Sequence, residues 1–348
     1  MKKRYVFFVN AAYCYAVFRP VQEAIWEEGN EVAWFFTKDT PINLLANEKL
    51  LVNEKEVKDF APDVIFGAGD WIPYYLPGLK VMLFHGLSIN KRDSKNNAHF
   101  NIRGWYDLYC THAEHDTNTF SKLAEKHKNF YVIKTGWPKL DPLFNSQTEQ
   151  TKPKTKQAKI LFFASTFSPS ITAAPAVADE LKSISNLPGW KVIATLHPLM
   201  DQDVVEKYLT MQDDSFVFLQ PDADLYDAMT QADIMICDTS SIMYEFMFLN
   251  KPVITFKTRN PGPFLTDTQK VSDILPTLKA LTKDATKQLS EAEQVCKNLH
   301  SYKDGKSSQR VLRAVDEVLE QGLGKLKRKP LNLLRKLKLR KRLGYWGF

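Results

Sequence analysis

Short apolar runs alternate along the chain with amphipathic or polar stretches, and the spacing predicts strands separated by helices. In the first half the strands are expected at residues 5–9, 32–36, 63–66, 79–84, 106–110 and 131–133. The runs are nearly continuous rather than alternating, as in parallel strands buried on both faces. Residues 10–19 read as a loop. Pro20 suits the first turn of a helix reaching about Glu28, with Gly29-Asn30 ending it. A second set begins at residue 159. Its strands are expected at 159–164, 191–196, 216–219, 234–237 and 253–256, with helices near 173–185, 224–231 and 241–249 and a helical region from about 290. Between the two sets, residues 146–158 are polar with one proline and read as a linker.

This alternation predicts an α/β fold of two Rossmann-like domains, residues 1–145 and 159–322, with a tail over 323–348. Strand carboxyl ends of both domains would face one cleft, where ligands of such sheets bind. A length of 348 residues suits two domains of roughly 150. A hydrophobic fraction of 44% and a charged fraction of 25% provide for a real core. Cys14, Cys110, Cys237 and Cys296 are scattered, with no CxxC pair and no zinc-like spacing. They are expected to be reduced and buried, as in a reducing cytoplasm. The run after Lys2-Lys3-Arg4 is too short for a secretory core, and no stretch nears the ~18 apolar residues that span a bilayer.

The net charge of +7 belongs to the tail. Residues 325–342 hold ten of the 47 Lys and Arg and no acid, so the remainder carries 37 bases against 40 acids. That argues against a nucleic-acid-binding body and for a tail with its own anionic partner. Leu333, Leu334 and Leu337 share a helical face among the cations, and Tyr345, Trp346 and Phe348 follow. Residues 325–348 are therefore expected to lie on an anionic membrane surface; the alternatives are a solvated tail or one folded back on the first domain.

Polar groups cluster just after the predicted strands. Asp238-Thr239-Ser240-Ser241 leaves one strand and opens a helix, where hydroxyls and free N–H groups either cradle a phosphate or merely cap. His85-Gly86 follows another strand; the imidazole is either a proton acceptor or a hydrogen-bonded structural group. Pro198 fixes His197 in an extended conformation at a third strand end, where the ring would meet a phosphate or leaving group. Gly136-Trp137-Pro138-Lys139-Leu140-Asp141 offers a backbone turn at Gly136 and a cation at Lys139, with Asp141 as a loop or helix cap. Ser165 and Thr166 could bond phosphate oxygens or cap the next turn. Asp222-Ala223-Asp224 matches a metal-binding DxD pattern, but it precedes a helix and is better read as a cap. No metal is expected.

In this order the set resembles the CDP-glycerol glycerophosphotransferase family, whose marks are an HG turn, a GxPRxD-like loop, an HP turn and a DYSS…KP segment. Here they are His85-Gly86, 136–141, His197-Pro198, and 238–241 with Lys251-Pro252. Thr239 stands where the family has tyrosine, and Lys139 where it has arginine. The resemblance implies a GT-B fold, a CDP-activated alditol donor, and a lipid-linked or glycan acceptor of a teichoic-acid or capsular polymer at the inner membrane face. It makes His85 the catalytic base and places His197 near the donor phosphates. Ser240 and Ser241 become the pyrophosphate-binding pair; Gly86, Gly136, Lys139, Ser165, Thr166, Pro198, Asp238 and Thr239 complete the expected donor set. A glycosyltransferase using a sugar nucleotide and a non-catalytic scaffold are the competing readings.

Overall fold

The computed structural model describes residues 2–89, 98–149, 158–220, 223 and 225–346. The elements run β1 (Arg4–Val9), α1 (Cys14–Glu27), β2 (Glu31–Phe36), β3 (Lys49–Leu51), α2 (Glu54–Phe60), β4 (Val64–Gly67) and β5 (Leu79–Met82). Next come β6 (Leu108–Thr111), α3 (Glu114–His127), β7 (Tyr131–Lys134) and α4 (Asp141–Glu149). Then β8 (Lys159–Ser165), α5 (Ala174–Ser185), β9 (Trp190–Leu196), α6 (Gln202–Thr210), β10 (Phe216–Leu219), α7 (Tyr226–Gln231) and β11 (Ile234–Cys237) follow. The chain ends through α8 (Ile242–Met247), β12 (Val253–Phe256), β13 (Thr266–Thr268), α9 (Ile274–Lys283), α10 (Thr286–Leu299), α11 (Ser307–Gln321) and α12 (Leu333–Leu343).

These elements divide into two units, Met1–Pro142 with Asn298–Phe348, and Leu143–Lys297. The first unit holds a parallel seven-stranded sheet in the order β3-β2-β1-β4-β5-β6-β7. Tyr5, Phe7 and Val9 of β1 point into a core shared with α1 and α11, while Val6 and Phe8 point to the opposite core. This strand is buried on both faces, which is why its sequence is unbroken by polar residues. The second unit holds a parallel six-stranded sheet, β10-β9-β8-β11-β12-β13. Strand order reverses between β1 and β4 in one sheet and between β8 and β11 in the other. The carboxyl ends at such a reversal are where open α/β sheets bind ligands.

Four expectations change. Helix α1 begins at Cys14, not Pro20, because Cys14, Val17, Phe18 and Val21 form a buried stripe at helical spacing. Burying it outweighs the N–H that Pro20 cannot donate inside the helix. Strands β3 and β13 were not expected; each has three residues, too few for a periodic signal. Helix α4 runs into the expected linker, whose residues 150–157 lie outside the described ones, as do Asp222 and Asp224. Residues 298–322, expected in the second domain, belong to the first unit. Val311, Leu312, Ala314, Val315 and Val318 of α11 sit in the same core as β1 and α1.

The tail folds onto its own unit. Leu339 and Leu343 of α12 are buried beside Trp105 and Phe60 in the second core of that unit. Lys329 pairs with Asp107 at 2.5 Å, Lys58 donates to the Tyr345 hydroxyl, and Arg340 donates to that of Tyr74. Among the described residues no helix is long and apolar enough to cross a membrane. All four cysteines are buried, and among the described residues they form no disulfide.

Candidate active site

The chain reaches His85 through an uncommon backbone. Phe84 adopts φ +53°, a left-handed conformation that a bulky side chain takes only under constraint. The constraint is Trp137, whose buried indole N–H donates to the Phe84 carbonyl at 3.1 Å. The HG turn and the 136–141 loop are thus mechanically connected. The His85 ring is exposed and stacks on Tyr13, with centroids 4.4 Å apart. Its Nδ1 lies 2.9 Å from the Ala68 carbonyl oxygen. A carbonyl has no proton to give, so the neutral ring carries its proton on Nδ1 and its lone pair on Nε2. That is the tautomer a proton acceptor needs. Gly86 beside it faces open space.

The 136–141 loop does something other than expected. Gly136 has φ +85°, and a Cβ there would stand 2.5 Å from Ser307 Oγ and 2.9 Å from His300 Nε2. It is a packing position for the returning segment. The Trp137 N–H donates to His300 Nε2 at 2.8 Å. Buried Asp141 accepts from the N–H groups of Ser307 and Ser308 at 2.9 and 2.7 Å and from the Ser308 hydroxyl. It closes the start of a helix 166 residues away along the chain. Burial pushes the Asp141 carboxyl up, and these hydrogen bonds oppose that. Lys139 lies over the Trp137 ring at 5.2 Å. His112, which stacks on the same indole, is 1% exposed, and neither of its ring nitrogens has a hydrogen-bond partner among the described residues.

In the second unit, Ser165 at the end of β8 and Asp238 after β11 meet across the sheet reversal. Ser165 Oγ donates to the fully buried Asp238 carboxylate. That carboxylate also accepts from the N–H groups of Thr166, at 3.0 Å, and Ala173, at 3.1 Å. Ser165 Oγ in turn accepts from the Ala173 and Ala174 N–H groups. Ser165 and Asp238, expected to contact a ligand, instead latch the 166–173 loop. Thr166 joins the latch through its backbone and keeps its hydroxyl half-buried. Burial pushes the Asp238 carboxyl up, offset in part by these donors.

With Asp238 turned inward, the following side chains face outward. Thr239 Oγ1 accepts from the Arg259 N–H at 3.1 Å, and the Arg259 guanidinium donates to Ser170 Oγ at 3.1 Å. Arg259 was missed in the sequence; its signal is a cation just beyond β12. Ser240 is half-buried and Ser241 exposed, and Ser241 occupies the N-cap of α8 without capping it. Both hydroxyls lack a partner among the described residues. His197 is exposed beside Phe167, with ring centroids 4.5 Å apart. Its Nδ1 accepts from the Leu199 N–H at 3.1 Å, so the neutral ring carries its proton on Nε2. Partial desolvation of the ring holds its pKa below the ordinary imidazole value. His197 is therefore a neutral donor, whereas His85 is an acceptor. Pro198 is exposed next to it. Lys251 Nζ donates to the carbonyls of Met229 and Thr230, so the KP pair caps the end of α7.

Among curated proteins the chain is 27% identical over 223 residues to the teichoic acid ribitol-phosphate primase of Bacillus spizizenii, covering 55% of this chain and 54% of that protein. It is 23% identical over 264 residues to the teichoic acid glycerol-phosphate primase of the same organism, covering 67% and 66%. The chain thus spans about half to two thirds of the length of these relatives. Among solved structures, that of the wall teichoic acid polymerase TagF superposes with a TM-score of 0.64 at 14% identity, over 92% of this chain and 89% of that one. At that identity the likeness concerns the fold: two Rossmann-like units of the GT-B kind. The family model for CDP-glycerol:poly(glycerophosphate) glycerophosphotransferase matches residues 79–317, from β5 through α11 and including both histidines and the serine pair. The chain belongs to the CDP-glycerol:poly(glycerophosphate) glycerophosphotransferase family.

Proposed function

We propose that the chain transfers glycerol phosphate, or a related alditol phosphate, from a CDP-activated donor to a lipid-linked or glycan acceptor during synthesis of a cell-envelope polymer. The observation that carries this reading is the 2.9 Å contact of His85 Nδ1 with the Ala68 carbonyl, which leaves Nε2 of an exposed ring as the acceptor, within the segment that matches the family. In the proposed step the acceptor hydroxyl oxygen attacks the phosphorus next to the alditol. A new phosphodiester bond forms, the diphosphate P–O bond breaks, and CMP leaves with the bridging oxygen. His85 Nε2 takes the hydroxyl proton. On the second unit, His197 Nε2–H, the hydroxyls of Ser240 and Ser241, and Arg259 stabilise the leaving phosphate. Such transfer depends on positioning and charge stabilisation rather than covalent catalysis. Thr239 and the Ser165–Asp238–Thr166 latch are positioning groups in this scheme. The tail would hold the enzyme on the inner face of the cell membrane.

Phosphorus NMR tests this. With membranes carrying the acceptor, CDP-glycerol is expected to lose its diphosphate signals as CMP and a new phosphodiester appear in equal amounts. A reaction giving CMP and free glycerol phosphate with every acceptor offered would remove the transferase reading, and so would turnover of a sugar nucleotide in its place.

A further inference from the structure

Helix α12 has three faces of different character. Leu339 and Leu343 are buried in the first unit. Leu333, Leu334 and Leu337 are more than half exposed, as are Leu331 before the helix and Trp346 after it. The third face carries Arg335, Lys338 and Arg342, at i, i+3 and i+7. This cationic face closes one side of a pocket of about 260 Å³ whose other walls are Trp71, Trp105 and Arg103. The Arg342 guanidinium lies over the Trp71 ring at 4.7 Å, which fixes its direction. Asp70 pairs with Arg103 at 2.8 Å, and among the described residues the other three cations of the pocket have no acidic partner.

We infer that this pocket seats the phosphate headgroup of a membrane lipid. Three uncompensated cations on an aromatic floor suit a compact anion with two or more negative oxygens. The volume lies below the roughly 300–1,000 Å³ of ordinary small-molecule sites, room for a headgroup rather than a nucleotide. The leucines decide the source of the phosphate. A free anion has no use for them, whereas a lipid places its chains against Leu333, Leu334 and Leu337 while its phosphate enters beside Arg335 and Lys338. This goes beyond bulk attraction between a basic tail and an acidic surface, because the pocket distinguishes cations by position. Asp70 and Trp71 also belong to the loop whose Ala68 carbonyl holds His85. If the transferase reading holds, a lipid-linked acceptor anchored there enters beside the candidate base.

Vesicle binding needs no donor and no turnover, so it succeeds or fails independently of that reading. The full chain is titrated with phosphatidylcholine vesicles containing phosphatidic acid. Arg335→Gln with Lys338→Gln removes two pocket cations; Lys325→Gln with Lys327→Gln removes two exposed cations elsewhere in the tail. Bulk attraction treats the two pairs alike. The pocket pair is expected to weaken binding at least about tenfold more than the other pair, since headgroup hydrogen bonds are lost with the charge. Equal losses would overturn the proposal. Leu333→Ser with Leu334→Ser is expected to weaken vesicle binding but not that of inorganic pyrophosphate. Should pyrophosphate bind as tightly as the vesicles and lose that binding in the Arg335→Gln, Lys338→Gln variant, the lipid assignment falls.

Discussion

Replacing His85 with alanine is expected to slow alditol-phosphate transfer by about 10²–10⁴-fold, the usual contribution of a positioned general base, while CDP-glycerol binds as before. The expectation rests on geometry. Nδ1 is committed to the Ala68 carbonyl, Tyr13 stacks on one ring face, and Nε2 is left as the ring's acceptor. The ring is aimed by the left-handed Phe84 just before it, which Trp137 holds through its indole N–H. Trp137→Phe deletes that donor without emptying the site. It should lower kcat by about tenfold, because a small displacement of a catalytic group is costly. Single-turnover kinetics with CDP-glycerol separate the two roles from donor binding. A His85→Ala enzyme with wild-type turnover would place the base elsewhere.

The second large effect is loss of the fold in mild acid. Three histidines of the first unit are held neutral: burial is the main cause that lowers His99 and His112 from 6.5 to about 3 and His300 to about 4. The unfolded chain protonates these rings near pH 6.5, but the folded chain does not. Below that pH the unfolded state binds more protons, so stability falls as pH falls. Each ring contributes about 1.4 kcal/mol per pH unit and the three together roughly 4. Over the roughly 2.5 pH units from 6.5 to about 4 this amounts to about 10 kcal/mol, comparable with the roughly 5–15 kcal/mol that a domain has to lose. Asp141 acts in the opposite sense, since burial raises its carboxyl from 3.8, but only at the acid end of this window. Urea denaturation followed by circular dichroism is expected to show a midpoint that drops steeply from pH 7 to 5. His112→Phe keeps a ring against Trp137 and Phe84 and should remove one proton from the slope. A midpoint independent of pH over that range would contradict this account.

Much of this was legible in the sequence because parallel strands buried on both faces leave unbroken apolar runs. β10, β11 and β12 begin and end where those runs do. The placement of His85, His197 and Asp238 after strands followed from the same pattern. Which polar groups face outward was not legible. Ser165 and Asp238 read like ligand contacts, yet a buried carboxylate needs donors, and β8 pairing with β11 supplies them. The 136–141 loop read as a phosphate turn, yet Gly136 and Asp141 receive residues 300–308, more than 160 positions away. No local pattern announces a contact of that separation. For the same reason α11 read as part of the second domain: its apolar stripe fixes that it packs, not on which sheet. The tail's cations and leucines were plain, but Leu339 and Leu343 look like their neighbours until the structure buries them.

The central claim is that the carboxyl ends of β8 and β11 hold a cytidine diphosphate through Ser240 and Ser241. Titration calorimetry of CDP-glycerol into the full chain, beside a Ser240→Ala, Ser241→Ala variant, tests it most directly. Two lost hydrogen bonds to a charged ligand should weaken the variant's affinity by at least about tenfold, with no UDP- or GDP-sugar competing in the wild type. An absence of heat with every cytidine nucleotide, or equal affinity in both proteins, would contradict it.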